Sequence, residues 1–485
     1  VAARDTDRAS RHARLASPVT TSPADLVPIP PEAAALGAAF AAAGHELHLV
    51  GGTVRDALMR RPDTDLDFAT DARPDEILAL AASLGAPTWT TGIEFGTVGV
   101  QLGGRLCEIT TFRADRYDRV SRNPAVAFGD SLEADLRRRD FTMNAMALSI
   151  TGEPTFTDPF GGLADLARGL LRTPAPPEES FADDPLRMLR AVRFVSTLGV
   201  TVADDALAAM TAMAGELARI TPERVQAELT KLLLGAAPRP ALELLAGTGL
   251  ADAVLPELPA LQMAADEHGQ HKDVYAHTLQ VLEQAIDLED DGPDLTLRWA
   301  ALLHDIGKPA TREIAPGGRV SFHHHEVVGA RLARRRLKEL RYSKQLIDDV
   351  GQLVFLHLRF YGYREGEWTD AAVRRYVVDA GPLLPRLHKL VRSDCTTRNK
   401  RKAAALSAAY DELVRRIAEL REREELAAIR PDLDGNEIMR LLDVPPGPVV
   451  GKAYQHLLAL RMEHGPLGHD RAVEELTRWY RQQQS

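Results

Sequence analysis

The residues of this chain best suited to chemistry are two aspartates, Asp65 and Asp67, in the segment RPDTDLDFAT. On a strand, side chains two apart share a face. Like charges held side by side repel, so the pair offers no structural gain. Two hard oxygen ligands on one face suit Mg2+, which one or two carboxylates hold together with substrate phosphates. The alternative is an exposed acidic edge strand. Just upstream, LVGGTVRDALM reads as strand, glycine pair and helix. Gly51 and Gly52 let backbone approach a ligand closely, and the helix N-terminus offers amides to phosphate. Arg55, one turn in, can add charge-assisted hydrogen bonds. Taken alone, the glycines also fit a plain strand–turn–helix corner. Glu108 alternates with Leu106 and Thr110 in a following hairpin, and is either a third carboxylate near the metal or a surface residue. Loop and aspartates together specify a two-metal phosphoryl-transfer site, one metal activating a hydroxyl and the other holding a triphosphate.

Arginines form a second constellation. LRRRDFTMNAMAL sets Arg138, Arg139 and Asp140 against Asn144, either as a helix start or as a site for ribose hydroxyls and phosphates. In DDPLRMLRAVRF, Pro185 suits a first helical turn. Asp184, Arg187, Arg190 and Arg193 then advance in steps of three, while Met188, Leu189, Val192 and Val195 take the core side. Like charges at this spacing destabilise a helix, and an anionic ligand would offset that cost. A solvated charged face is the other reading.

A third group gathers imidazoles and carboxylates: His277 on a helix face, His304 and Asp305 in WAALLHDIGK, His323, His324 and His325 in FHHHEVVGA, His357, and Asp394. Such donors suit a divalent transition metal. Arg398, Lys400, Arg401 and Lys402 in TTRNKRK form a basic patch, readable as an RNA track or as a solvated helix start.

These groups need elements to position them. The patterning is mixed α/β over residues 29–172 and almost wholly helical afterwards, with TPAPPEES as a proline-rich joint and IRPDLDGNE as a later break. A proline-started helix ends at Gly44, ELHLV and DLDFAT read as strands, and the segments TVGVQL and RLCEITTF form a hairpin turning at Gly-Gly-Arg. At 485 residues several domains are expected. The two cysteines, Cys107 and Cys395, have no partner spacing, which points to a reducing cytoplasm. No apolar run reaches the length of a membrane span. Residues 1–28 read as a disordered tail without a signal-peptide core. A net charge of −10 argues mildly against nucleic acid, unless the basic footprint is local.

In order, LVGGTVRDALM…DLDFAT, RRDFTMNAMA, DDPLRMLRAVRF and TPERVQAELTKLL resemble the motifs of bacterial (class II) CCA-adding tRNA nucleotidyltransferases and the related poly(A) polymerases, over roughly residues 47–235. The resemblance implies a polymerase β-like α/β head with a five-stranded sheet, over residues 29–172. A helical neck (173–265) and a C-terminal helical RNA-binding region (401–485) would follow. By motif position, Gly52 and Arg55 would contact nucleotide, Asp65 and Asp67 would hold Mg2+, and Arg139 would touch the nucleotide. Asp184, Arg187, Arg190 and Arg193 would read base and triphosphate, selecting CTP and ATP by the exocyclic amino group. Where the family often has glutamate, this chain has Asp183. Members that add only the two cytidines look shortened between the hairpin and the Arg-Arg-Asp motif. Here a full loop with Asp118, Arg122 and Pro124 leads us to expect addition of the final adenosine to tRNA as well. The order His…His-Asp…Asp resembles the HD phosphohydrolases over about 266–400. That implies His277, His304, Asp305 and Asp394 as ligands of a second divalent metal site, with His324 or His325, and His357, serving a further ion. Two alternatives stand beside this reading: a poly(A) polymerase, and an HD hydrolase with a non-catalytic nucleotide-binding module. No protein partner is expected.

Overall fold

The computed structural model describes residues 22–61, 65–113, 128–129, 131–263, 273–314, 320–362, 369–395, 400–424 and 429–484, side chains at 361, 362, 400, 402 and 403 excepted. The chain divides into two compact units, residues 1–191 with 199–216, and residues 192–198 with 217–485.

The first unit is built on a mixed sheet. Its strands are β1 (Leu47–Val50), β2 (Asp65–Thr70), β3 (Thr88–Trp89), β4 (Thr97–Leu102), β5 (Arg105–Thr111), β6 (Ala147–Ser149) and β7 (Phe156–Thr157). They lie in the order β3-β4-β5-β2-β1-β6-β7, and every pairing is antiparallel except β2 with β5. The resemblance implies five strands; the sheet has seven, because the two-residue strands β3 and β7 extend its ends. Alternation along β2 is explicit: Leu66 and Phe68 enter a core with Leu36, Phe40, Ile77, Val98 and Ile109, so Asp65 and Asp67 must face the other way. That core is covered by helices α2 (Pro31–Ala42), α3 (Gly52–Leu58) and α4 (Pro74–Ser83). On the opposite face, beyond the aspartates, Val50, Ala69, Phe112 and Leu136 make a smaller apolar cluster.

Two expectations are corrected here. The tail does not extend to residue 28: Ser22 and Asp25 form a capping box for helix α1 (Pro23–Leu26), and Val27 is buried in the main core. The hairpin turn is the two residues Gly103 and Gly104, with φ of 55° and 83°, and Arg105 already pairs with Leu102. The proline-rich joint lies inside the first compact unit, which runs on to residue 191. After α5 (Leu132–Arg137) and α6 (Gly162–Arg168), helix α7 (Pro177–Asp183) starts inside it. Strand β8 (Leu170–Leu171) pairs with β9 (Thr201–Val202) beyond helix α8 (Leu186–Leu198), which keeps residues 199–216 in the first unit.

The second unit is helical. It starts with the helices Pro222–Leu233, Pro238–Gly247 and Leu250–Val254. Then come Val274–Ile286 and Leu295–Leu303, whose caps Asp273 and Asp294 accept from first-turn amides. Further helices span His325–Glu339, Lys344–Leu356, Asp370–Ala380, Leu384–Asp394 and Lys400–Glu424. The last three, Gly435–Leu442, Pro448–His464 and His469–Gln484, share a core of Leu433, Ile438, Leu457 and Leu476. No helix among the described residues is long and apolar enough to cross a membrane.

Candidate functional site

The glycine turn between β1 and α3 lies beside the acidic face of β2. Gly51 has φ 67° and ψ −132°, a conformation that side chains do not adopt readily. A methyl group there would sit 2.9 Å from Arg139 Nη1 and 3.6 Å from Asp67 Oδ2. At Gly52 it would meet Arg55 Nη2 at 3.6 Å and Asp67 Oδ2 at 4.0 Å. Four sequence-predicted groups, the Gly51–Gly52 turn, Arg55, Asp67 and Arg139, therefore converge. Thr53 fixes the strand to this turn: its Oγ1 accepts the Asp67 amide at 3.0 Å and donates to the Asp65 carbonyl at 3.4 Å. Across the parallel pair Asp67 stands opposite Glu108, and Asp65 opposite Leu106. Asp65 and Glu108 are exposed and Asp67 is half-buried, so three carboxylates share one open face. A cluster of hard oxygen donors beside arginines fits a divalent cation with a phosphate ligand.

The arginines are held by a buried polar network. Arg55 donates to both carboxylate oxygens of Asp56, at 2.9 and 2.7 Å, and to Asn144 Oδ1 at 2.7 Å. Arg139 donates to the buried Asp135 at 3.3 and 3.1 Å. Arg187 is buried, donating to Ser180 Oγ at 2.8 Å and to the Arg138 carbonyl at 2.5 Å. Arg190 forms a two-pronged contact with Asp140 at 2.8 and 2.5 Å. Burial alone would raise the Asp140 carboxyl, but Arg190 and Asn144 outweigh it and hold the group well below the usual carboxylate range. Asp184 Oδ1 accepts the Leu186 amide at 3.1 Å, capping α8. Met188, Leu189, Val192 and Val195 are buried, as the stripe requires. Arg193, the last of the stripe, falls in the second unit, where its Nε lies 2.7 Å from Glu228. Nothing local in the sequence announces that partner, 35 residues on. Asp140 and Asn144 were grouped with the arginines, but their mutual bond was not legible. Asp118, Arg122 and Pro124 lie outside the described residues, as does Arg398 of the basic patch; Arg401 is exposed.

The histidine cluster is buried in the second unit. Ligand atoms of His277, His304 and Asp394 lie within 4.8 Å of one another, and so do those of Asp305, His325 and His357. The expected set of His277, His304, Asp305 and Asp394 is also brought together, since Asp305 Oδ2 lies 3.7 Å from His277 Nε2 as well. Asp305 still faces both halves: Oδ2 is 3.2 Å from His304 Nε2, and Oδ1 is 3.3 Å from His325 Nε2 and 3.9 Å from His357 Nε2. Asp394 Oδ1 lies 2.9 Å from His277 Nε2 and 3.7 Å from His304 Nε2. His324 is excluded: its side chain is 82% exposed, because it takes a left-handed φ of 61° just before the helix that begins at His325. Lys308, which the sequence reading passed over, reaches Asp305 Oδ2 at 2.5 Å from one turn away. Its spacing in HDIGK was the available signal.

Three rings share one device. Nδ1 of His304, His325 and His357 lies 2.8, 2.8 and 2.6 Å from the carbonyl three residues earlier. With Nδ1–H donating there, the lone pair of each neutral ring sits on Nε2 and points at the carboxylates. These three Nε2 atoms are buried without a hydrogen-bond partner. Lone pairs facing anionic oxygens repel unless a cation lies between them, so the donor set fits a divalent metal. Burial, with the neighbouring His304, pushes the His357 imidazole down to about 4, and burial likewise lowers His277. At His304 the effect of burial is outweighed by Asp305, which raises it.

Three family models match successive stretches of the chain. The Poly A polymerase head domain matches residues 47–172, a probable RNA and SrmB-binding site of polymerase A matches 199–261, and the HD domain matches 274–397. An A-adding tRNA nucleotidyltransferase of Deinococcus radiodurans is 36% identical over 420 residues, 85% of this chain and 91% of its own length. The chain belongs to the tRNA nucleotidyltransferase and poly(A) polymerase family. Within this family, a CCA-adding enzyme of Geobacillus stearothermophilus is 44% identical over 270 residues, 56% of this chain and 61% of its own length. The match thus spans less than two thirds of that relative. The solved Bacillus stearothermophilus CCA-adding enzyme in complex with CTP is 29% identical, with a TM-score of 0.66 over 93% of this chain and 98% of that one. A Thermotoga maritima CCA-adding enzyme complexed with tRNA shares the fold at 16% identity and a TM-score of 0.57, over 92% and 94% of the two chains.

Proposed function

We propose that this chain adds the 3′-terminal CCA of tRNA, taking nucleotides from CTP and ATP without a nucleic-acid template. The observation that carries this reading is the face shared by Asp65, Asp67 and Glu108 beside the Gly51 turn. Magnesium, when bound to the aspartates, would supply the charge that activates the terminal hydroxyl and neutralises the triphosphate. The chain's own groups do the rest. Gly51 and Gly52 admit phosphate oxygens to backbone amides. Arg55 and Arg139 surround the same region with donors, while Arg190 stands on the base side with Arg187 of the same helix. Asp184, oriented by the Leu186 amide, accepts from the exocyclic amino group of cytosine or adenine, and Arg187 donates to the ring. Uracil and guanine present a carbonyl there, leaving acceptor against acceptor. Arg193, paired with Glu228, has no direct part in this reading. Action on the cytoplasmic tRNA pool belongs to it.

The buried histidine cluster supports a second activity, metal-dependent hydrolysis of a phosphoester, with His277, His304, Asp305 and Asp394 holding one ion and His325 and His357, which face the other oxygen of Asp305, serving a further one.

A second reading of the polymerising site is addition of the last adenosine only, favoured by the extent of the match to the Deinococcus A-adding protein. Offering CTP and ATP separately and together to tRNA ending before CCA, and to tRNA ending in CC, separates them. Full CCA on the shorter tRNA is expected. Extension of only the CC-ended tRNA, by ATP, would replace CCA addition with A addition, and long adenosine tracts would indicate a poly(A) polymerase.

A further inference from the structure

Asp140 is 8% exposed, and both of its oxygens are taken. Oδ1 accepts from the Phe141 amide at 2.8 Å and from Asn144 Nδ2 at 2.9 Å, while Oδ2 accepts from Arg190 Nε and Nη2 at 2.8 and 2.5 Å. An ionised carboxylate offers about four acceptor positions, and these donors fill them. A ribose hydroxyl, the ligand first expected at this segment, would have to displace one. Asn144 is bound on both sides, donating to Asp140 and accepting from Arg55 Nη1 at 2.7 Å.

We infer that Asp140 and Asn144 are positioning residues that join the phosphate-side Arg55 to the base-side Arg190, so that occupying one end of the nucleotide site fixes the other. The inference rests on the nucleotide-site reading above. Position 144 requires its amide. A guanidinium only donates and an ionised carboxylate only accepts, so the group between them must accept at one end and donate at the other. Asparagine does both in one fixed orientation. Aspartate would set carboxylate against carboxylate, and leucine would break both bonds and leave buried charges short of partners. The chain Arg55–Asn144–Asp140–Arg190 crosses α3, the turn Thr142–Asn144 and α8.

Such a link predicts non-additivity. Arg55→Lys, Arg190→Lys and the double variant of the full chain would be assayed for KM and kcat with ATP, on tRNA ending in CC. Each single change should raise KM by about tenfold with a smaller effect on kcat, and the double by roughly 10- to 30-fold rather than ~100-fold. In an Asn144→Asp background the two effects should multiply. If that background does not melt like the parent, Asp140→Asn breaks the same link, because an amide that still accepts from Asn144 turns its own N–H donors toward the Arg190 guanidinium. Multiplication in the parent chain, within about twofold, overturns the relay alone. Unchanged KM in both single variants overturns the relay together with the nucleotide-site reading.

Discussion

Asp67 of β2 and Glu108 of β5 face one another across the one parallel pairing of the sheet, on the side away from the core. Each has its apolar neighbours, Leu66 and Phe68 or Cys107 and Ile109, locked inside. The carboxylates cannot turn inward without a register shift of the whole strand.

Removing either aspartate should therefore abolish nucleotide incorporation while leaving the fold intact. Asp67→Ala and Asp65→Ala should each lose about 10³-fold or more in rate, several kcal/mol of transition-state stabilisation. Glu108→Gln should lose less, about tenfold. Incorporation of labelled ATP, read beside melting temperature, decides this; an active Asp67→Ala protein would remove the site from β2.

The glycine turn gives a paired prediction. Gly51→Ala meets both a left-handed φ and the Arg139 guanidinium, so kcat/KM should drop at least about tenfold along with stability. Gly44→Ala has a φ of 83° but nothing within 4 Å, so it should cost only about 1 kcal/mol of stability and no activity. Equal effects of the two on incorporation would mean that strain, not ligand approach, explains Gly51.

Those two constellations were legible because period-two alternation and a glycine pair are local signals. The core side of α8 was equally plain from its spacing. What the sequence hid was nonlocal or fell within identical neighbours. Glu228 beside Arg193 depends on how helices meet, and Asn144 between Arg55 and Asp140 depends on three elements at once. Among three consecutive histidines only the backbone distinguishes His325 from His324. Strands β3 and β7, two residues each, exist by pairing rather than by propensity.

Metal binding at the histidine cluster should be measurable without any substrate. Adding Mn2+ to chelator-treated protein should stabilise it by about 2.7 kcal/mol at a hundredfold excess over Kd, seen as a rise in Tm. Asp305→Ala should lose the shift and any phosphodiesterase activity while sparing nucleotide addition. An unchanged Tm in the parent protein would rule out a resident ion, and parallel loss of both activities would deny two independent sites.

A different histidine should govern acid sensitivity. His388 lies between Tyr376 and Tyr410, and burial, reinforced by Arg421 and Arg392, pushes its imidazole down to about 4. Between that value and the ordinary one near 6.5, the unfolded chain binds a proton that the folded chain refuses. Stability from this group is therefore complete above about pH 6.5 and is lost as pH falls toward 4, by roughly 1–3 kcal/mol. His388→Phe should flatten that part of the curve in urea denaturation; a slope parallel to the parent's would assign the acid sensitivity elsewhere.

The sheet ends in two stubs. Because β3 and β7 each offer only two residues of backbone, neither rim gives a neighbouring molecule enough unpaired amides and carbonyls to grow another strand. A seven-stranded layer can in this way crowd its carboxylates into an open face and still resist recruiting copies of itself edge to edge.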